Sequence, residues 1–263
     1  MPVTHHAATE RAGDHLRRLR TRHRISQLEL SLRVGVSQRH LSCIETGRSK
    51  ASRPMLLAVL EALDAPLPER NRTLLAAGFA PAYGERSLQQ NDMAPIREAI
   101  AHLLAAHDPA PALVIDGLWN VLTANRAAHR LIELIGADPA PLDGGGFNLL
   151  RGTFAEGGLK AAFINADEVC GSVWRRAERE APHVEGLAAL LDELRPHAPP
   201  ARDAGPAADT PLLFTRIRSA AGELRFFSAF TTFGAPLDVT IASLRIEHLF
   251  PADDATRQAL AAG

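Results

Sequence analysis

The chain has only two cysteines in 263 residues, Cys43 and Cys170. They are too few and too far apart for a disulfide framework or a cysteine zinc cluster, and a reducing compartment suits them. The eleven histidines are scattered apart from His5 and His6, and neither an HExxH nor a Cys/His ligand set is present, so no metal site is expected. Nothing approaches the roughly 18–20 uninterrupted apolar residues of a membrane helix. The opening MPVTHHAATER also lacks the apolar core of a signal peptide, so the expectation is a cytoplasmic protein with no membrane partner. No GxSxG, metal triad or interpretable carboxylate pair is found beyond common surface pairs such as Asp253 and Asp254. The glycine-rich DPAPLDGGG at 138–146 lacks the GK[ST] ending of a phosphate-binding loop and reads as a plain loop. No catalytic residue and no cofactor are therefore expected.

What is present is ordinary in bulk and uneven in detail. A hydrophobic fraction of 46% with 22% charged residues fits a folded protein long enough for two domains. The net charge of −1 hides an asymmetry: residues 1–53 carry 11 Lys and Arg against 4 Asp and Glu, a net of +7, which leaves −8 for the rest. A local basic excess is the footprint of phosphate contacts, and the acidic remainder argues that the larger part does something else.

The basic end contains SQLELSLRVGVSQRHLSCIETGR at 26–48. Ser26 is placed to cap one helix and Ser37 a second, with Gly35 where the short turn between them needs a positive φ. Two helices this close form a helix-turn-helix, whose second helix enters the DNA major groove. At 100° per residue Gln38, Arg39, Ser42 and Cys43 share one arc, and Leu41 and Ile44 lie opposite. Gln and Arg are the types that bond adenine and guanine edges bidentately. An ordinary helical bundle with a solvated face is the bland alternative. A preceding helix over 14–23, capped by Asp14, carries Arg17, Arg18, Arg20, Arg22 and Arg24, which suit backbone phosphates or simple solubility. Helices over 54–63 and 69–77, the latter closed by Gly78, complete five helices near residue 80.

Residues 81–94 read as a connector, followed by a helix over 95–106. ALVID, GLWN and VLTAN then spell a hairpin, and Asn125 caps a helix over 126–135. Helices over 166–179 and 183–194 precede an Ala/Pro/Asp-rich loop at 196–211. LLFTRIRS and ELRFFSAFTTFG make two more strands, the second with aromatics on both faces and so expected to be central and covered. A short helix over 237–243, a strand LRIEHLF and a helix over 252–262 close the chain. The fold class is α+β, with a five-stranded antiparallel sheet at 95–263.

The run with Ser26-Gln27, Gly35-Val36-Ser37 and Ile44-Glu45-Thr46-Gly47 resembles the xenobiotic-response-element family of repressors, which implies a lambda-repressor-like domain over 1–80. LPERNRTLLAAGFAPAYGE and the chain behind it resemble the MmyB-like regulators, which implies a PAS-like sensor domain. The resemblance directs Gln27 and Ser37 toward phosphates, Gln38, Arg39 and Ser42 toward base edges, and Arg48 toward the backbone of double-stranded DNA. Cys43 departs from the larger apolar residue of many relatives; its thiol suits a thymine methyl or a redox switch.

Three readings of the second domain stand open. In the first it senses a small apolar ligand, which the resemblance extends to fatty-acid-like molecules. Trp119, Phe147, Phe154, Trp174, Phe214, Phe226 and Phe230 are available to line a pocket, although core packing is the default role of aromatics. Arg151 or Arg225 is then a candidate for a ligand carboxylate, while Asn120 and Asn125 read as turn and cap residues. In the second it is a ligand-free dimerisation module, since such regulators read two half-sites as homodimers. The third, a fused enzyme, has no motif behind it.

Overall fold

The computed structural model of the chain describes residues 10–142, 146–200 and 212–261. The readings above for residues 1–9, 143–145 and 201–211, a tail and parts of two loops, lie outside them. The chain divides into two units, Met1–Glu85 with Leu237–Val239, and Arg86–Pro236 with Thr240–Gly263.

The first unit is built from α1 (Ala12–Arg22), α2 (Gln27–Arg33), α3 (Gln38–Glu45), α4 (Arg53–Ala62) and α5 (Leu67–Ala76). The first helix begins earlier than its sequence suggests. Asp14 falls in its first turn, where it accepts a hydrogen bond from Arg11 instead of capping the helix. The serine caps do form: the Ser26 hydroxyl accepts from the Glu29 N–H at 3.0 Å and the Ser37 hydroxyl from the His40 N–H at 3.2 Å. Gly35, at φ +71°, makes the turn between α2 and α3. Leu16, Leu19, Leu30, Leu41, Ile44 and Leu60 meet in the core.

One buried carboxylate joins three of these helices. Glu45 receives Arg20 Nε at 2.6 Å, Arg20 Nη2 at 2.9 Å and Gln27 Nε2 at 2.7 Å, while Arg20 Nη1 donates to the Ile25 carbonyl. Close approach of α1 to the end of α3 makes this reach possible. A Cβ at Gly13 would lie 2.5 Å from the Ile44 carbonyl oxygen.

The second unit is a sheet of β1 (Ala112–Ile115), β2 (Asn120–Ala124), β3 (Phe147–Asn148), β4 (Thr215–Ser219), β5 (Gly222–Thr231) and β6 (Arg245–Pro251). Its order is β3-β2-β1-β6-β5-β4, with every pairing antiparallel. The sheet thus has six strands, one more than expected, because a two-residue strand is too short to show alternation. Around it lie α6 (Ala94–His107), α7 (Arg126–Leu134), α8 (Leu149–Phe154), α9 (Ala166–Glu180), α10 (Leu187–Leu194), α11 (Val239–Ser243) and α12 (Asp254–Ala261).

Alternation along the strands assigns the faces. Ala112, Val114 and Ile246 pack with Ile100 and Leu104 of α6. The opposite face, through Leu113 and Ile115, meets the helices inserted between β2 and β4. The expected coverage of β5 on both sides needs correction. β5 is central, between β6 and β4, but its far end is uncovered: Ala229, Phe230 and Thr231 are exposed, Phe230 by 38%, and among the described residues β4 pairs with β5 only as far as Phe226.

Asn125 does more than cap α7. Its Oδ1 accepts from the N–H groups of Ala128 and Ala112, and its Nδ2 donates to the carbonyl of Ala110. One side chain therefore pins the start of β1 to the start of α7. No described helix is long and apolar enough to cross a membrane.

Removing one partner of a buried ion pair typically costs about 3–5 kcal/mol, because the other charge stays buried and unpaired. Glu45→Ala should destabilise the first unit by about that amount, read as lost hydrogen-exchange protection in peptides from α1 to α3. Unchanged protection there would contradict the role given to this carboxylate.

Candidate ligand cavity and nucleic-acid interface

On α3, Gln38 and Arg39 are exposed, Ser42 and Cys43 are half-buried, and Leu41 and Ile44 lie beneath in the core. Arg48 is exposed just after the positive-φ turn at Gly47. Ser37 accepts its capping bond through oxygen, which leaves its hydroxyl hydrogen available to a phosphate. Gln27 spends its amide on Glu45. The arginines of α1 divide in role. Arg20 turns inward to Glu45, and Arg18 pairs with Glu10 and, at 3.5 Å, with the buried Glu69, so these two serve the fold and Arg17 stays exposed.

Within the second unit a cavity of about 320 Å³ lies between the sheet and the inserted helices. Its walls are mainly apolar. β1 contributes Leu113, α7 contributes Leu131 and Ile132, and α9 contributes Val169 and Val173. Leu212, Leu213 and Phe230 line it while remaining partly exposed, so they form its rim.

One part of the wall is polar. β6 alternates so that Glu247 and Leu249 face the cavity, opposite Phe230 and Ser228 of β5 in register. Arg176 of α9 completes this end, with its guanidinium carbon 3.6 Å from the centre of the Phe230 ring. Ser172 lies one helical turn before Arg176 on the same face.

Glu180 holds this end together. Arg176 Nε donates to Glu180 Oε1 at 2.9 Å, Arg245 Nη1 reaches the same oxygen at 2.5 Å, and the Trp119 indole N–H donates to Oε2 at 3.1 Å. Trp119 adopts φ +67°, a conformation that a bulky side chain rarely takes. Asp116 maintains it: its carbonyl accepts the Trp119 N–H, and its carboxylate accepts the N–H groups of Leu118 and Asn120.

The two carboxyls here are pushed apart. Burial works to raise Glu180, but hydrogen bonds from Arg245 and Arg176 outweigh it and hold the group below its ordinary value. Burial dominates at Glu247 and pushes its carboxyl up, against an opposing hydrogen bond from Ser228 and the charges of Arg176 and Arg245.

Of the aromatics named from sequence, Trp119, Phe147 and Phe230 line the cavity. Phe154 and Trp174 instead pack edge to face in the core at 5.3 Å, and Phe226 is fully buried with Ile217, Leu224 and Leu260. Phe214 lies under Arg225, and Arg151 points to Glu193 in an exposed two-pronged pair, so neither arginine expected to meet a ligand lines the cavity. Arg176, Glu247, Ser228 and Ser172 were missed. Arg176 follows Val169 and Val173 at helical spacing, a signal that could have found it, whereas Glu247 and Ser228 come together only through strand register. Among the described residues no group of three or more His, Cys, Asp or Glu is placed to hold a metal.

A family model described as a MmyB-like transcription regulator ligand binding domain matches residues 96–262, and a helix-turn-helix domain model matches residues 11–73. No curated protein matches the chain. Among solved structures, the "Structure of an RNA-binding Light-Oxygen-Voltage Receptor" is similar at 16% identity over 98% of this chain, with a TM-score of 0.26. This chain spans 65% of that chain's length, and so distant a likeness carries no argument.

A carboxyl held low in the folded state contributes stability above its unfolded pKa and loses it as pH falls through the folded one. Glu180→Gln should therefore melt below the wild type at neutral pH, and the gap should narrow on acidification below about pH 4.5. A gap in melting temperature that stays constant down to about pH 3 would show that the charge of Glu180 is not what stabilises the unit.

Proposed function

Because the chain belongs, through residues 96–262, to the MmyB-like transcription regulator ligand-binding family, and carries a helix-turn-helix at 11–73, we propose that it is a DNA-binding transcription regulator controlled by an elongated apolar ligand with an acidic head. The observation that carries the ligand class is the apolar cavity with, among the described residues, a single cation, Arg176, on its wall. An acyl chain takes the place of water along Leu131, Ile132, Val169 and Leu249, and a carboxylate pairs with the guanidinium. Fatty-acid-like molecules have this chemistry.

On the DNA side, Gln38 and Arg39 are read as base contacts, with Ser42 and Cys43 beside them and Arg48 and Ser37 toward the backbone, where Gln27 has only the N–H that Glu45 does not take. One recognition helix gives little specificity, so the proposal includes a homodimer that places two of them roughly 34 Å apart on a palindromic operator. Sedimentation of the purified chain tests that state.

Three outcomes follow. On an operator selected from random duplexes, Arg39→Ala should weaken binding by about 1–3 kcal/mol and relax preference at one base pair, whereas equal losses on unselected DNA would remove its base-reading role. Arg48→Ala should weaken all sequences alike and reduce the salt slope by about one; an unchanged slope argues against a phosphate contact. For the cavity, the delipidated chain should bind a fluorescent long-chain acid, and Arg176→Gln, which removes the charge but keeps an N–H for Glu180, should weaken the acid about tenfold or more while sparing the matching alcohol. Equal losses for both would place the head group elsewhere.

A further inference from the structure

The polar end of the cavity holds more than an acid head group requires. Arg176 and Arg245 share one anion, Glu180, and among the described residues Glu247 is the remaining ionisable group on this wall. Its position is settled by register, since Glu247 pairs with Phe230 of β5 and Leu113 of β1, both of which line the cavity. Its polar surroundings are Ser228 on β5, Arg176 on α9 and Arg245 on its own strand, both arginines being bound in turn to Glu180; the paired β1 residue is apolar. If Glu247 is neutral, two cations face one anion and one positive charge remains for a ligand. An ionised Glu247 consumes that charge and also repels a carboxylate in a site poor in water.

Resting on the reading of the cavity as a site for an acidic, apolar ligand, we infer that Glu247 makes recognition proton-linked: an anionic head group is held beside Arg176 with Glu247 in its carboxylic acid form, so binding takes up one proton. The acid form also gains a function. Its O–H becomes a donor to the ligand carboxylate, while Ser228 hydrogen-bonds the Glu247 carboxyl. The upward push that burial gives this carboxyl is in the sense required. A ligand with a neutral head, an alcohol or amide, needs no such proton. Glu247 thereby sets the relative preference for acidic and neutral ligands as a function of pH.

Among the described residues no histidine, cysteine or lysine lines the cavity, so Glu247 is the wall group that a change of pH addresses. The nearby histidines lie on the other face of β6, where His248 meets His107 of α6 with ring centres 4.6 Å apart.

The test measures the affinity of the delipidated full-length chain for a fluorescent long-chain carboxylic acid and for the corresponding alcohol, between about pH 6 and 9. Acid affinity should fall about tenfold per unit once pH exceeds the pKa of Glu247, while alcohol affinity stays level. Glu247→Gln, a fixed neutral stand-in, should bind the acid without that slope. Should this variant fold poorly, calorimetry of the wild type in two buffers of different ionisation heat reads the same quantity. Uptake approaching one proton per acid bound, and none with the alcohol, supports the inference. A flat wild-type profile, or a slope that survives in Glu247→Gln, overturns it and leaves the ligand class standing. Failure of both probes to bind overturns the ligand class and the inference together.

Discussion

The second unit depends on a carboxylate that never reaches the cavity wall. Glu180 gathers a guanidinium from its own helix, another from β6 and an indole N–H from the β1–β2 turn, so three elements distant in sequence meet at two oxygen atoms. Burying this much charge is favourable only when every partner is in place. That requirement forces Trp119 into a left-handed conformation, orients Arg176 over Phe230 and settles which end of the cavity is cationic. The apolar walls are replaceable by similar shapes, but this junction is not.

The first unit uses the same device for a different end. Glu45, at the last turn of the recognition helix, is clamped by Arg20 and Gln27, and Gly13 lets α1 come close enough for the clamp to close. The basic excess of the amino-terminal end is thus divided: Arg20 and Arg18 neutralise buried acids, while Arg39 and Arg48 remain exposed. A count of charges along the sequence cannot separate these roles. Both kinds are equally basic, and only the position of a distant glutamate tells them apart.

What the sequence made legible is local. Ser26, Ser37 and Gly35 announce caps and a turn through chemistry that acts over three or four residues, and the structure places all three as expected. Alternation found the longer strands and missed β3, whose two residues have no period. GLWN is legible only as the turn of a hairpin; that Trp119 takes the positive φ there is not, because Asp116 and the distant Glu180 fix it from both sides. Aromatics were the natural candidates for the cavity, yet Phe154, Trp174 and Phe226 are large enough to be the best core fillers and are consumed as such. Arg151 and Glu193 are 42 residues apart, and nothing short of the fold shows that each neutralises the other.

The cavity lies where the sheet is least complete, and this bears on how a ligand is felt. Beyond Phe226, β5 loses β4 as a neighbour, and among the described residues only β6 pairs with the stretch that carries Ser228 and Phe230. A strand with one paired edge, facing unfilled volume on one side, belongs among the parts of a fold that open at lowest cost. An occupant restores the missing packing at that place. A ligand at about a hundred times its Kd adds roughly 2.7 kcal/mol to whichever state binds it, more than the roughly 1 kcal/mol of a typical hydrogen bond. The free energy of binding is therefore large enough to change how firmly β5 and β6 are held. Because Glu247 of β6 and Ser228 of β5 meet across that seam, the protonation state of a single carboxyl enters the same balance.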